Sequence, residues 1–191
     1  MSRMKRKAPL FLIPLAFFTL GLVNIHTALA GFLCMFLPFF LLFRERDKVW
    51  CKHYCPRIDL MKAAKKASRT KSRALPPAFF RWDLPFAFLT YFAASLLLIA
   101  GSTLRVAMGA MDPMEELRFL VAFPLPSPIP QLLSWSPGIP WLTHLAYRLY
   151  SMMMTTTVLG LLISLFYKPR SWCQACPIGT LSDMALKKMK D

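Results

Sequence analysis

The chain has 191 residues, 56% of them hydrophobic, and carries 24 Lys and Arg against 9 Asp and Glu, a net charge of +15. Its apolar residues come in long runs that leave no polar face for water, which excludes an ordinary soluble domain and indicates a membrane protein. The basic residues flank those runs, where lipid headgroups and the positive-inside rule account for them, so the charge gives no ground for a nucleic-acid partner.

The first run, Leu10 to Phe43, is interrupted by the polar stretch Asn24 to Thr27. It predicts two short helices joined by a tight turn, spans of about 9–24 and 28–43. Each is about 16 residues, slightly under the length that crosses ~30 Å of hydrocarbon, a shortfall that snorkelling Lys and Arg can cover. Pro14 and Pro38 fall inside these spans, where neighbouring helices can compensate a lost backbone bond. Arg3 to Lys7, the apolar run after them and Ala28-Leu29-Ala30 also resemble a secretory signal. The run resumes directly after Gly31 for another span's length, which favours two retained helices.

A third span is expected at 84–101, closed by Gly101, and a fourth at 145–167, closed by Lys168 and Pro169. Between them, Phe123 to Pro130 alternates proline with other residues and is followed by Trp135, Pro137, Gly138, Pro140 and Trp141, a composition that cannot form a continuous helix. Its tryptophans suit a membrane–water interface. Residues 1–9, 44–83 and 168–191 together hold 21 Lys and Arg, and the loop between spans three and four, extended to Arg148, holds 3. The fold class expected is therefore an all-α membrane protein. It is a four-transmembrane-helix bundle forming a single domain over 1–191 in the bacterial inner membrane, with both termini cytoplasmic.

Four of the five cysteines form two compact pairs, Cys51-Lys52-His53-Tyr54-Cys55-Pro56 and Cys173-Gln174-Ala175-Cys176-Pro177. Each pair follows a span on its expected cytoplasmic side, so packing span two against span four would bring the sulfurs together despite 122 residues between Cys51 and Cys173. Close pairs of thiolates are what chelation needs, and a proline after a cysteine recurs in iron–sulfur ligation. Disulfides are disfavoured in the cytoplasm. The expectation is one 4Fe-4S cluster held by Cys51, Cys55, Cys173 and Cys176, with zinc on the same four as the alternative.

These two motifs, Trp50-Cys51 through Arg57 and Trp172-Cys173 through Thr180, resemble those of the membrane-bound iron–sulfur proteins. That polyferredoxin-type group is related to the quinol dehydrogenase subunit of periplasmic nitrate reductase and to the nitrous oxide reductase regulator. The resemblance implies electron transfer between the quinone pool and a redox partner. The chain has no four-cysteine ferredoxin run and its second pair is separated by two residues, so it resembles a minimal form without the ferredoxin domain.

The other residues read more plainly. Cys34 is a small apolar residue within a span, and His53 a loop histidine. His26 and His144 lie near the boundary opposite the cysteines, as interface anchors or as ligands to a quinone or haem. Arg148 is costly to bury and should face the bundle, an acidic partner or the interface. Met152, Met153 and Met154 point around a helix and so cannot all serve one metal. Lys62 to Arg73 is a basic stretch suited to lipid headgroups. With no nucleophile and base, no paired carboxylates and no phosphate loop, an electron-transfer subunit is expected rather than a stand-alone enzyme. The rival is a membrane assembly or regulatory protein with a structural zinc or redox-sensing metal site.

Overall fold

The structure, a computed structural model, describes residues 10–68, 83–120, 123–124, 138–168 and 170–189. The basic residues after Ser68 and the proline-rich stretch 125–137 lie outside the described residues.

Helix α1 runs Leu12–Val23. Pro14 falls in its first turn, where no intrahelical bond is lost. The chain then becomes extended at Asn24, whose Oδ1 accepts the His26 amide at 2.9 Å and starts a 3-10 turn over Ile25–Ala30. That turn runs directly into α2, Gly31–Glu45. Pro38 sits buried within α2 and removes the helical bond to the Cys34 carbonyl. A π-helical turn at Trp50–Tyr54 leads into α3, Pro56–Ser68. Next come α4, Asp83–Ala107, and a hairpin of β1 (Arg118–Phe119) against β2 (Phe123–Pro124). Helix α5 spans Pro140–Phe166, α6 Ser171–Ala175 and α7 Pro177–Lys188.

Three helical stretches are long and apolar enough to cross a membrane: Ile25–Glu45, Leu84–Ala107 and Pro140–Phe166. The fold is thus a multi-span membrane helical bundle. The first expected span is shorter than required, because α1 has 12 residues and rises only about 18 Å. Two other boundaries also move. Gly101 does not end α4, which runs six residues further, because one glycine costs about 1 kcal/mol while an unbonded backbone in lipid costs more. Helix α5 starts at Pro140 rather than 145, with proline in the first turn where its missing N–H is harmless.

Helix α5 is the axis of the bundle, and more than half of it is buried. Small residues let neighbours approach it. Gly21 of α1 lies directly against the Tyr150 ring, and Gly160 against Met61 of α3 and the Trp172 indole, whose nearest ring atom is 3.2 Å from a Cβ built there. The Tyr150 hydroxyl donates to the Phe18 carbonyl at 3.1 Å, and the Phe17 and Phe18 rings pack on it. Large apolar side chains on the outside, such as Leu33, Phe36 and Leu97, are well exposed, as a lipid-facing surface requires.

Candidate functional site

Both cysteine turns lie at the Phe166 end of α5. Cys51 is on the π-helical turn and Cys55 ends it, while Cys173 is in α6 and Cys176 joins α6 to α7. In each pair the proline after the second cysteine opens the next helix, Pro56 for α3 and Pro177 for α7. An ion pair between Lys48 and Asp183 ties the first turn to α7, and the Trp172 ring of the second packs on Phe88 of α4, centroids 5.5 Å apart. Lys65 of α3 donates to the Leu165 carbonyl at 2.6 Å and covers the end of α5.

Gly179 holds the second turn in shape. A Cβ there would stand 2.9 Å from the Cys173 carbonyl oxygen, a backbone atom that cannot swing aside. Gly179→Ala is expected to cost about 1–3 kcal/mol through this overlap. It should lower the thermal unfolding midpoint and speed maleimide labelling of Cys173. An unchanged midpoint together with unchanged labelling would show that the turn has room.

The structure brings the two pairs into one neighbourhood, since each of the four thiols electrostatically influences the others. All five cysteines are free and partly buried. Burial, reinforced by the neighbouring cysteines, pushes the Cys51 thiol up to about 11 and the Cys173 thiol up to about 12, against the pull of Lys48 and Arg170 respectively. Burial likewise raises Cys55, offset by the amides of Ile58 and Arg57 and by the Arg57 charge.

The metal expectation is corrected here. Among the described residues, no group of three or more His, Cys, Asp or Glu side chains is arranged to hold a metal ion. Each pair occupies its own turn, and ligation needs the sulfurs of both turns to converge on one centre. The 4Fe-4S cluster expected on Cys51, Cys55, Cys173 and Cys176 is not supported, nor is zinc on the same residues. With them fall the cluster-borne electron-transfer function and the rival structural or sensing metal site.

A cavity of about 60 Å³ lies against the cysteines, lined by Cys34, Cys51, Cys55, Cys176, Trp172 and Arg57 among others. A much larger one, about 890 Å³, shares Cys34, Trp50, Arg57 and Met153 with it and extends along α1 and α2. Its walls are almost wholly apolar, with Arg57, Tyr54, Trp50 and Thr157 among its polar residues. Arg57 Nη2 donates to Met153 Sδ at 2.7 Å. The Trp172 indole N–H is buried without a hydrogen-bond partner. Tyr54, Met153 and Thr157 were not legible as site residues, because only the packing of three helices places them on one wall.

The two histidines have structural partners. His26 contacts Asn24 Oδ1 at 2.9 Å and Thr143 Oγ1 at 3.1 Å, fastening the 3-10 turn to α5. His144 is fully buried between the Met114 amide and Ser102 Oγ. Neither lines the cavities.

A family model described as a 4Fe-4S binding domain matches residues 27–73 and 150–191, which is less than half of the chain. The matched stretches contain both cysteine turns, so the motif resemblance is real in sequence. The cofactor that the resemblance implied is not carried over, because the metal-holding geometry is missing among the described residues. No curated protein and no solved structure matches the chain.

Proposed function

We propose that the chain is a multi-pass protein of the bacterial cytoplasmic membrane that seats a lipophilic quinone-type carrier in the 890 Å³ cavity, beside Cys51, Cys55, Cys173 and Cys176. The observation that carries this is the shared wall of Cys34, Trp50, Arg57 and Met153 between the large apolar cavity and the cysteine-lined one. Quinone-type carriers have a long apolar tail and a ring with two acceptor oxygens. A mostly apolar cleft with a few polar groups at one end suits such a molecule. Arg57 supplies a donor there, and the unpartnered Trp172 N–H lies in the adjoining cysteine-lined cavity.

The 21 to 3 division of Lys and Arg supports a single membrane domain over 1–191, with four passes that count α1 and both termini cytoplasmic. The cysteine turns then face the cytoplasm, where the thiols stay reduced. A cysteine pair can reduce the seated ring by thiol chemistry alone. Two S–H bonds are lost, one S–S bond forms, and the two electrons and two protons convert quinone to quinol. The spacing within each pair permits that bond, since residues three or four apart on one turn lie within the ~4.4–6.8 Å Cα separation that disulfides span.

The test uses the full chain in inside-out membrane vesicles. A decyl-tailed benzoquinone is added, the reaction is stopped with acid, and free thiols are counted after denaturation with a mass-adding maleimide. Two of the five cysteines should become unreactive per pair oxidised, and reduction should restore them. Leu33→Trp, which places bulk on an exposed wall of the cavity, should slow the loss. An unchanged thiol count in the wild type, or equal rates in the variant, would refute the proposal.

A further inference from the structure

Among the described residues that line the large cavity, the cysteine is Cys34, whereas Cys51, Cys55 and Cys176 line the small one and Cys34 lines both. The paired thiols therefore reach the large cavity through the wall that Cys34 occupies. Its depth suits a membrane-dissolved ring. Cys34 lies about 16 Å before the end of α2 at Glu45, at 1.5 Å per residue, within hydrocarbon ~30 Å thick. Of the paired cysteines, Cys55 comes with wall residues of the large cavity: Tyr54, Pro56 and Arg57 line that cavity, and Cys55 lines the small one with Cys34.

Two further features of the small cavity point to a ligand that carries acceptor oxygens. Trp172 is 3% exposed and its N–H has no hydrogen-bond partner, a state that buried donors seldom keep. Arg57 lies on the walls of both cavities, and a nearby guanidinium favours the thiolate form that attacks.

We propose that Cys34 is the thiol that meets the carrier ring, and that it passes the oxidation to Cys55 and Cys51. This rests on the quinone-type reading of the large cavity. The Cys34 sulfur adds to the ring through a C–S bond. The Cys55 sulfur then attacks Cys34, the C–S bond breaks and a Cys34–Cys55 disulfide forms. Both thiol protons end on the ring oxygens, so the quinone takes up two electrons and two protons and leaves as quinol. Cys51 next attacks the Cys55 sulfur and its proton passes to Cys34, which leaves the Cys51–Cys55 disulfide and a free Cys34 thiol.

Inside-out vesicles carrying the full chain are given the decyl-tailed benzoquinone and stopped with acid, and disulfide-linked peptides are identified by mass spectrometry. The wild type should end with Cys51 linked to Cys55. Cys51→Ser removes the resolving thiol and should stop at a Cys34–Cys55 link. Cys34→Ser should lose the oxidation of the Cys51 and Cys55 pair, with its unfolding midpoint measured alongside. If that variant does not fold, the link trapped in Cys51→Ser decides alone. A folded Cys34→Ser protein that oxidises as fast as the wild type overturns the inference and leaves the seating of the quinone standing. Oxidised Cys51→Ser protein with no link between Cys34 and Cys55 does the same. A wild type that loses no thiol removes both.

Discussion

Gly21→Leu should leave little folded protein. A side chain at Gly21 enters the space of the Tyr150 ring, with ring atom Cδ2 already 2.8 Å from where a Cβ would stand. Tyr150 is 3% exposed, so its ring has nowhere to go. It is also held by the bond from its hydroxyl to the Phe18 carbonyl and by the packed rings of Phe17 and Phe18. Overpacking of this kind costs about 1–3 kcal/mol or more, and the displaced hydroxyl adds about 1 kcal/mol. That is a large part of a typical ~5–15 kcal/mol stability. The unfolding midpoint and the protease-resistant fraction should both drop sharply. Adding Tyr150→Ala to Gly21→Leu should recover part of the loss, because the two residues meet and their effects are not additive. A single variant as stable as the wild type would mean that α1 does not pack on α5 at this point.

His144→Leu is the second large effect. The ring accepts the Met114 amide on Nδ1 at 3.1 Å, which leaves Nε2–H to donate to Ser102 Oγ at 3.0 Å. One side chain thereby fastens α5, α4 and the segment after α4. Leucine fills similar volume but leaves the buried Met114 amide without this acceptor, while the Ser102 hydroxyl keeps its bond to the Ile99 carbonyl. An unsatisfied buried donor costs about 1–3 kcal/mol, so the loss should be of that size. Hydrogen exchange at the Met114 amide should accelerate well beyond the change in α5 itself. Equal protection of that amide in both proteins would show that the histidine does not hold the segment.

Both predictions depend on contacts between residues far apart in sequence, whereas the membrane class depended on none. Hydropathy fixes which stretches enter lipid, because every backbone group there must bond within its own helix. The local shape at the cysteines is set by the same proline in both motifs. A cysteine followed by proline ends one turn and opens the next helix at Pro56 and Pro177, as the missing proline N–H favours at a helix start.

What the sequence could not determine was convergence. The spacing of Cys51, Cys55, Cys173 and Cys176 fits a metal site, and the structure does bring the four into mutual influence. Ligation, however, depends on where sulfurs point across two separate turns, and the described residues hold no such group. The docking of the hairpin segment on α5 was hidden for a similar reason. Its amides are satisfied by Ser151 and Thr155, 33 and 35 residues away, and nothing local to Arg118 or Leu120 announces those partners. Sequence alone determined what enters the membrane, since that is a sum of local transfer energies. Only the tertiary packing decided which cavity forms and which thiols meet, since those contacts belong to α5 and the helices around it.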